Sequence, residues 1–138
     1  MEIKRKSIAH WTGTGKEGKG QLTTQSNVLN STQFGFNSRF ADGIGTNPEE
    51  LIAAANAGCF SMKLAFNLQA AGFTDINIQT EAEIVLADGV ITQSNLNLVA
   101  NVPNIDSTKF DELVKDAEAN CPVSKLLKAK ISINYKLN

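Results

Sequence analysis

A long apolar stretch with a cysteine at its middle, residues 46–72, constrains the fold of this chain more than any other feature. Thr46 or Asn47 can cap a helix there, Pro48 suits the first helical position, and Gly72 suits the turn that ends it. A helix of about 24 residues is roughly 36 Å long. One subunit of 138 residues can hardly enclose such a rod. We therefore predict a long buried central helix that a second subunit helps to cover.

Composition places the chain among ordinary globular proteins, with 42% apolar and 20% charged residues. Thirteen basic residues nearly balance fourteen acidic ones, so charge predicts neither nucleic acid nor membrane as a partner. The start, MEIKRKSIAHW, lacks the apolar run of a secretory signal. Charged residues in the long helix, such as Glu49 and Lys63, argue against a bilayer span. We expect a single domain over 1–138 and a cytoplasmic location.

The two cysteines, Cys59 and Cys121, allow more than one interpretation. Their spacing matches no zinc pattern and His10 is the one histidine, so no metal site is expected. Cys59 is either a small buried hydrophobe or a nucleophilic thiol. A nucleophile there needs a nearby cation, because the helix start at Pro48 is about 15 Å away. His10 alone is more typical of a packed or surface residue than of a catalyst.

Cys121 precedes Pro122, and the position before a proline is pushed out of the helical region. Its sulfur is then expected at the end of an element, where it can approach Cys59. Two unrelated thiols remain the alternative.

Alternation and turn residues predict the other elements. We expect strands over 1–12, 21–30 and 31–40, and in the third Phe34, Phe36 and Phe40 share one face while Arg39 lies on the other. The later pattern predicts two strands, a helix pair and a last strand. Asp88-Gly89 joins the two strands as a hairpin, and Asp106 or Ser107 caps the first helix of the pair. Hairpins dominate and no β-α-β repeat is evident, so the predicted class is α+β with mainly antiparallel sheet.

Three segments together carry a family resemblance: FGFNSRF, GTNPEELIAAANAGCFSMKLA and ANCPVSKLLKA. The chain resembles the osmotically inducible protein C (OsmC) and organic hydroperoxide resistance (Ohr) family of thiol peroxidases over almost its whole length. It is more similar to the OsmC branch, which carries an arginine in the segment FNSRF. The Ohr branch has its arginine in the early glycine loop, where this chain has GKEGKG.

The resemblance implies an OsmC-like fold, an intertwined homodimer and a thiol-dependent peroxidase linked to oxidative and osmotic stress. Cys59 would be the peroxidatic thiolate and Cys121 the resolving thiol that forms a disulfide with it. Arg39 would hold the thiolate and polarise the peroxide, and Glu49 would orient Arg39. The choice of Glu49 over Glu50 rests on the family alignment. The implied substrates are organic and, less efficiently, inorganic hydroperoxides, with a lipoyl-type or other dithiol as reductant and no cofactor.

Helix geometry adds one expectation of its own. Glu49 and Cys59 are ten residues apart on one predicted helix, hence about 15 Å along the axis and roughly 80° out of phase. A glutamate side chain cannot close that gap. If both serve one active centre, Glu49 comes most simply from the partner subunit, which predicts composite sites at a dimer interface.

Apolar residues near Cys59 predict a preference among substrates. Phe60, Met62, Leu64 and Phe66 are close in sequence, and the phenylalanines of the third strand are available. An apolar entrance to the site would favour alkyl or lipid hydroperoxides, since each buried CH₂ contributes about 0.8 kcal/mol to binding. Two other functions stay open: a redox sensor or small-molecule binding protein without turnover, and a structural dimer with inert thiols.

Overall fold

The computed structural model describes all 138 residues, which form two compact units, Met1–Leu51 and Ile52–Asn138. The predicted α+β class with mainly antiparallel pairing is confirmed. The predicted order of the main elements is also confirmed, with one short helix added before the long one. The single domain over 1–138 stays a prediction.

The first unit contains a three-stranded antiparallel sheet in the order β1-β2-β3. The strands are β1 (Ser7–Thr12), β2 (Lys19–Thr24) and β3 (Thr32–Phe34). The predicted N-terminal hairpin is confirmed, with both strands shorter than expected. Trp11 of β1 packs on Phe34 of β3 with the ring centroids 5.5 Å apart.

The prediction of one strand over 31–40 is wrong beyond Phe34. The chain instead forms a short helix, α1 (Phe36–Phe40), so Arg39 lies on a helix. The Ser38 hydroxyl accepts from the Gly35 N–H at 2.9 Å, which ties the first turn together. Phe36 and Phe40 pack with centroids 5.0 Å apart, because a spacing of four residues fits one helical turn as well as one strand face.

The long helix is confirmed as α2 (Pro48–Ala70). Asn47 caps it, since its side-chain oxygen accepts from the Glu50 N–H at 2.8 Å. Burial within the single chain follows one stripe at a spacing of four residues, Asn56, Phe60, Leu64 and Leu68. The opposite side is open, and Met62 and Phe66 are 64% and 60% exposed. The single chain therefore covers one face of the helix and leaves apolar residues uncovered.

By length and composition alone, α2 is able to cross a bilayer. Core helices of folded proteins meet the same criterion. Three residues of the buried stripe, Phe60, Leu64 and Leu68, belong to the hydrophobic core of the second unit. The apolar character of α2 is therefore explained on that face by core packing.

The second unit contains a three-stranded sheet in the order β4-β5-β6. Antiparallel β4 (Asn77–Ala87) and β5 (Val90–Asn101) are joined as predicted by Asp88 and Gly89, which both adopt positive φ, 52° and 78°. The strand β6 (Lys130–Leu137) runs parallel to β5. One β-α-β unit therefore occurs, although the sequence shows no β-α-β repeat. The intervening helices, α3 (Ser107–Asn120) and α4 (Pro122–Leu126), supply the crossover that a parallel pair needs.

The core of the second unit agrees with the predicted faces. On β5, Leu96, Leu98, Ala100 and Val102 are all buried. On α3, the predicted stripe is buried at Phe110, Val114 and Ala117 and half-buried at Leu113. Asp106 caps α3 by accepting from the Lys109 N–H at 2.7 Å. This core fixes the start of α4, where Cys121 lies fully buried.

Candidate active site

The residues implicated by sequence occur as two contacting pairs, one in each unit. In the first, Arg39 of α1 binds Glu49 in the opening turn of α2 through two guanidinium nitrogens. Arg39 Nε donates to Glu49 Oε1 at 3.0 Å and Oε2 at 3.2 Å, and Nη2 donates to Oε1 at 2.7 Å. Such a two-pronged pair fixes the plane of the guanidinium as well as its position. The Glu49 side chain is 12% exposed and that of Arg39 40%, so the guanidinium keeps an open side.

Local hydrogen bonds hold this pair in place. The Ser38 hydroxyl donates to the Thr46 carbonyl at 2.8 Å, and the Asn47 amide donates to the Ser38 carbonyl at 3.0 Å. These bonds attach α1 to the segment that starts α2. Glu50 has a different partner, the Thr46 hydroxyl at 2.6 Å. Arg39 therefore pairs with Glu49, and the choice between the two glutamates that sequence left to alignment has a structural basis.

The second pair consists of the two thiols, both free. Cys59 lies at mid-α2 and is half-buried, and Cys121 joins α3 to α4 and is fully buried. The Cys59 side chain packs against the core cluster that contains Cys121, and each thiol affects the pKa of the other. Cys121 has an extended backbone with ψ 116°, as the proline after it demands. Residues 62 positions apart in sequence are thus neighbours.

The ionisation of the two thiols differs. Burial raises the pKa of Cys59, and contact with the Cys121 thiol adds to this, while a hydrogen bond from the Val123 backbone acts in the opposite direction. Burial also acts to raise the pKa of Cys121, but hydrogen bonds from Ser124, Cys59 and Val123 outweigh it and the net pKa is lowered. Within this unit, then, the more accessible thiol, Cys59, has a raised pKa, and the buried thiol, Cys121, has a lowered pKa.

A buried polar cluster beside Cys121 was not singled out by the sequence pattern. It contains Asn56 of α2, Ser94 of β5 and Ser124 of α4, of which Asn56 and Ser94 are fully buried. Asn56 Nδ2 donates to Ser124 Oγ at 2.9 Å and contacts Cys121 Sγ at 4.0 Å. Ser94 Oγ donates to Asn56 Oδ1 at 2.6 Å. The available signal was an asparagine on the apolar stripe of α2, three residues before Cys59.

An apolar cavity of about 100 Å³ lies beside Arg39 in the first unit. Four aromatic rings dominate its lining, those of Trp11, Phe34, Phe36 and Phe40. The predicted grouping of the three phenylalanines is thus realised across β3 and α1, and not along one strand. The Arg39 guanidinium lies 5.1 Å from the centroid of Phe40, so a cation and an apolar surface are side by side.

The remaining residues considered in sequence lie outside the two pairs. His10 is an exposed residue of β1. Phe60 and Leu64 are buried in the core, whereas Met62 and Phe66 are exposed. No group of three or more His, Cys, Asp or Glu side chains is arranged to hold a metal ion.

Comparison with known proteins gives consistent matches. The family model described as OsmC-like protein matches residues 41–136. Peroxiredoxin OsmC of Escherichia coli (strain K12) is 48% identical over 141 residues, covering 99% of each chain. Organic hydroperoxide resistance protein OhrB of Bacillus subtilis (strain 168) is 30% identical over 122 residues, covering 86% of this chain and 88% of that one.

Solved structures agree at the level of the fold. The crystal structure of OhrB from Bacillus subtilis superposes with a TM-score of 0.64 at 27% identity, covering 96% of this chain and 98% of that one. An OsmC-like protein of unknown function from Vibrio cholerae has a TM-score of 0.72 at 9% identity, covering 98% and 100%. The second likeness shows the fold alone.

Proposed function

The chain belongs to the OsmC-like protein family, and on that premise we propose that it is a cysteine-based peroxidase that reduces hydroperoxides with electrons from thiols. The observation that carries the proposal is the contact between two free thiols, an accessible one on α2 and a buried one at the start of α4. Relatives named peroxiredoxin and organic hydroperoxide resistance protein support the same chemistry.

The proposed reaction has two steps on the protein. The Cys59 thiolate attacks the distal oxygen of the hydroperoxide, the O–O bond breaks, and the alkoxide leaves as an alcohol after taking a proton. Cys59 is then a sulfenic acid. The Cys121 thiolate attacks the Cys59 sulfur, the S–O bond breaks, and hydroxide leaves as water after taking a proton. A dithiol restores both cysteines by two exchanges and becomes a disulfide itself.

Cys59 is assigned the first step because of access. Hydroperoxide must reach the attacking sulfur, and Cys121 is fully buried while Cys59 is half-buried. The raised pKa of Cys59 means that its thiolate needs a cation that the surrounding residues of its own unit do not provide. Arg39, held by Glu49 with an open side, is the cation we assign to this role.

We place the Arg39 that serves Cys59 of one subunit on the partner subunit. Glu49 and Cys59 are separated by ten residues of one helix, about 15 Å of axial rise. The uncovered apolar residues of α2 provide a surface for a second copy, and Met62 and Ala65 line a shallow depression there with Ile76 and Ile78. Monomers rarely leave such apolar patches open. These features support a homodimer with two composite sites. The cytoplasmic location is proposed separately and does not depend on them.

Catalytic turnover distinguishes the peroxidase from a redox sensor. With excess dithiothreitol and a limiting amount of protein, we expect organic hydroperoxide to be consumed over many cycles. The measurement is loss of hydroperoxide over time against a reaction without protein. A sensor would consume one equivalent per Cys59 and stop, and that result would contradict the proposal.

The apolar cavity predicts a preference for hydroperoxides with hydrocarbon groups. We expect a higher kcat/KM for cumene hydroperoxide than for hydrogen peroxide, because the aromatic lining around Arg39 contacts a tail that hydrogen peroxide lacks. Each buried CH₂ contributes about 0.8 kcal/mol, or roughly a fourfold rate factor. Replacing Phe36 by alanine should reduce this ratio, with Val28→Ala on an exposed loop as the matched control. Equal efficiencies for the two peroxides would refute the preference.

A further inference from the structure

The carboxylate of Asp116, near the end of α3, uses its two oxygens in two different directions. Oδ2 accepts a hydrogen bond from Asn67 Nδ2 of α2 at 2.9 Å, and Lys63 Nζ of α2 lies 3.8 Å from the same oxygen. Oδ1 accepts from Asn120 Nδ2 at 2.9 Å, and Asn120 is the last residue of α3. One side chain therefore connects α2 to the end of α3.

The partners of this carboxylate lie close to the two cysteines in sequence. Those on α2 follow Cys59 by four and eight residues, a spacing that keeps them on the same side of the helix as that thiol. Asn120 directly precedes Cys121. The Asp116 carboxylate thus joins the Cys59 side of α2 to the residue that leads into Cys121.

The junction between α3 and α4 is the single residue Cys121, which has a non-helical backbone with φ −66° and ψ 116°. Its N–H donates to the Ala117 carbonyl at 2.9 Å, and its carbonyl accepts from the Lys125 N–H at 3.0 Å. These backbone bonds hold the junction to α3 and α4 and leave its placement against α2 to side chains. On the α3 side of the junction, the Asp116 carboxylate makes that connection.

We propose that Asp116 is a positioning residue that holds the end of α3 on α2 and so keeps Cys121 in place to attack oxidised Cys59. The inference rests on the proposed peroxidase function and assigns a further residue to its second step. The attack forms the S–S bond, breaks the S–O bond of Cys59 and releases water once hydroxide takes a proton. A disulfide requires its two α-carbons to be about 4.4–6.8 Å apart, so a small displacement of α3 affects this step directly.

A second carboxylate on α3 provides a matched control. Asp111 Oδ2 lies 2.8 Å from Lys115 Nζ, and its Oδ1 accepts from the Tyr135 hydroxyl of β6 at 2.9 Å. Asp111 therefore has the same chemistry as Asp116 but connects α3 to the sheet and not to α2. The Asp116 side chain is 50% exposed, and an exposed ion pair such as that with Lys63 contributes little to the free energy of unfolding. Loss of either carboxylate should leave the protein folded.

Replacing Asp116 by alanine is expected to slow the second step and leave the first unchanged. One equivalent of cumene hydroperoxide is added to the reduced protein, and sulfenic acid and disulfide are followed by dimedone trapping and mass spectrometry. Sulfenic acid should form at the wild-type rate. The disulfide should form about tenfold more slowly, since about 1 Å of misplacement can cost up to a hundredfold in rate. Asp111→Ala should form both at the wild-type rate. Equal slowing of the disulfide in both variants, or none in Asp116→Ala, would overturn the inference.

Disulfide formation without hydroperoxide tests the same placement independently of peroxidase activity. In glutathione buffers of graded redox potential, the fraction of Cys59–Cys121 disulfide gives the equilibrium constant of the pair. Asp116→Ala should favour the reduced pair about tenfold, which moves the midpoint by about 30 mV to less negative potential. The reason is that loss of the connection lets the reduced thiols move apart, whereas the disulfide holds them together.

The two experiments separate the inference from the function on which it rests. Equal glutathione midpoints for wild type and Asp116→Ala would overturn the inference and leave the peroxidase function intact. No sulfenic acid in the wild type would contradict the peroxidase function, while the glutathione midpoints would still decide the role of Asp116.

The Asn67 amide provides a second variant should Asp116→Ala fail to fold. Asn67→Ala removes the α2 end of the same connection, so it should slow disulfide formation by a similar factor. Because the two side chains act through one bond, the double variant should be no slower than the slower single variant. Effects that multiply in the double variant would show that the two side chains act separately and would also overturn the inference.

Discussion

Replacing Cys59 by serine is expected to abolish turnover of hydroperoxide, down to the rate of the dithiol alone. The hydroxyl is close to the thiol in size, so the half-buried site on α2 should keep its packing. Its pKa is far too high to supply a nucleophilic anion at neutral pH. The measurement is hydroperoxide consumption with dithiothreitol, accompanied by a thermal melt to show that the variant is folded.

The matched control is Cys121→Ser, which removes the other thiol of the pair. This variant should still react with the first equivalent of hydroperoxide and should accumulate a sulfenic acid that dimedone traps. Undiminished turnover in Cys59→Ser would end the assignment of Cys59. Turnover lost in Cys121→Ser with no trapped sulfenic acid would reverse the roles of the two cysteines.

The second large effect is expected from Arg39→Ala, which should lower kcat/KM for organic hydroperoxide by about a hundredfold, as loss of one preorganised donor to a reacting oxygen commonly does. Cys59 has a raised pKa in its own unit, so removal of the cation should also shift the pH at which its thiolate appears upward. The sign follows from charge: a nearby cation stabilises the thiolate and lowers the pKa, so its loss raises it. Activity in Arg39→Ala should therefore recover partly as pH rises.

Two further variants separate charge from geometry at this position. Arg39→Lys keeps the positive charge but cannot make the two-pronged contact with Glu49, so it should retain part of the activity. Glu49→Gln leaves the guanidinium present but less firmly held, and should cost less than Arg39→Ala. Glu50→Gln is the control, because Glu50 bonds Thr46 and makes no bond to Arg39. Equal activity of Arg39→Ala and wild type would remove Arg39 from the site.

The long helix was predictable because its signals are local. Each signal involves residues that are close together in sequence. The helix starts at Asn47 and Pro48, continues through the apolar run and is followed by Gly72 with φ 97°. The Asp88-Gly89 hairpin was predictable for the same reason, since the turn type depends on the two residues in it.

The position of Arg39 on a helix was not predictable from the same kind of pattern. Phenylalanines four residues apart suit a strand face and a helical turn equally. What decides is the Ser38 hydroxyl, which bonds Gly35 next to it and the Thr46 carbonyl eight residues on. The parallel pairing of β6 with β5 likewise joins residues far apart in sequence, such as Gln93 and Lys130.

The residues of the candidate site also differ in how far the sequence could predict them. Family resemblance indicated Cys59, Cys121, Arg39 and Glu49, but nothing in the sequence indicated that Asn56 lies beside them. Its partners Ser94 and Ser124 lie 38 and 68 residues away in sequence, and no local rule connects a buried asparagine to two distant serines. A residue whose role depends on long-range hydrogen bonds is recognised only once the fold brings its partners together.

The central claim is a site assembled from two chains, with Cys59 from one subunit and the Arg39–Glu49 pair from the other. The most direct test is a heterodimer of one Cys59→Ser subunit and one Arg39→Ala subunit. It is purified through two different affinity tags, and its hydroperoxide consumption is measured. One of its two sites then combines an intact Cys59 with an intact Arg39, so about half of the wild-type activity should return. The Cys59→Ser homodimer, in contrast, is inactive, and the Arg39→Ala homodimer keeps only about a hundredth of the activity. A heterodimer of Arg39→Ala with Glu49→Ala is the control and should stay impaired, because both of its sites carry a damaged pair. An inactive Cys59→Ser/Arg39→Ala heterodimer would contradict the composite site.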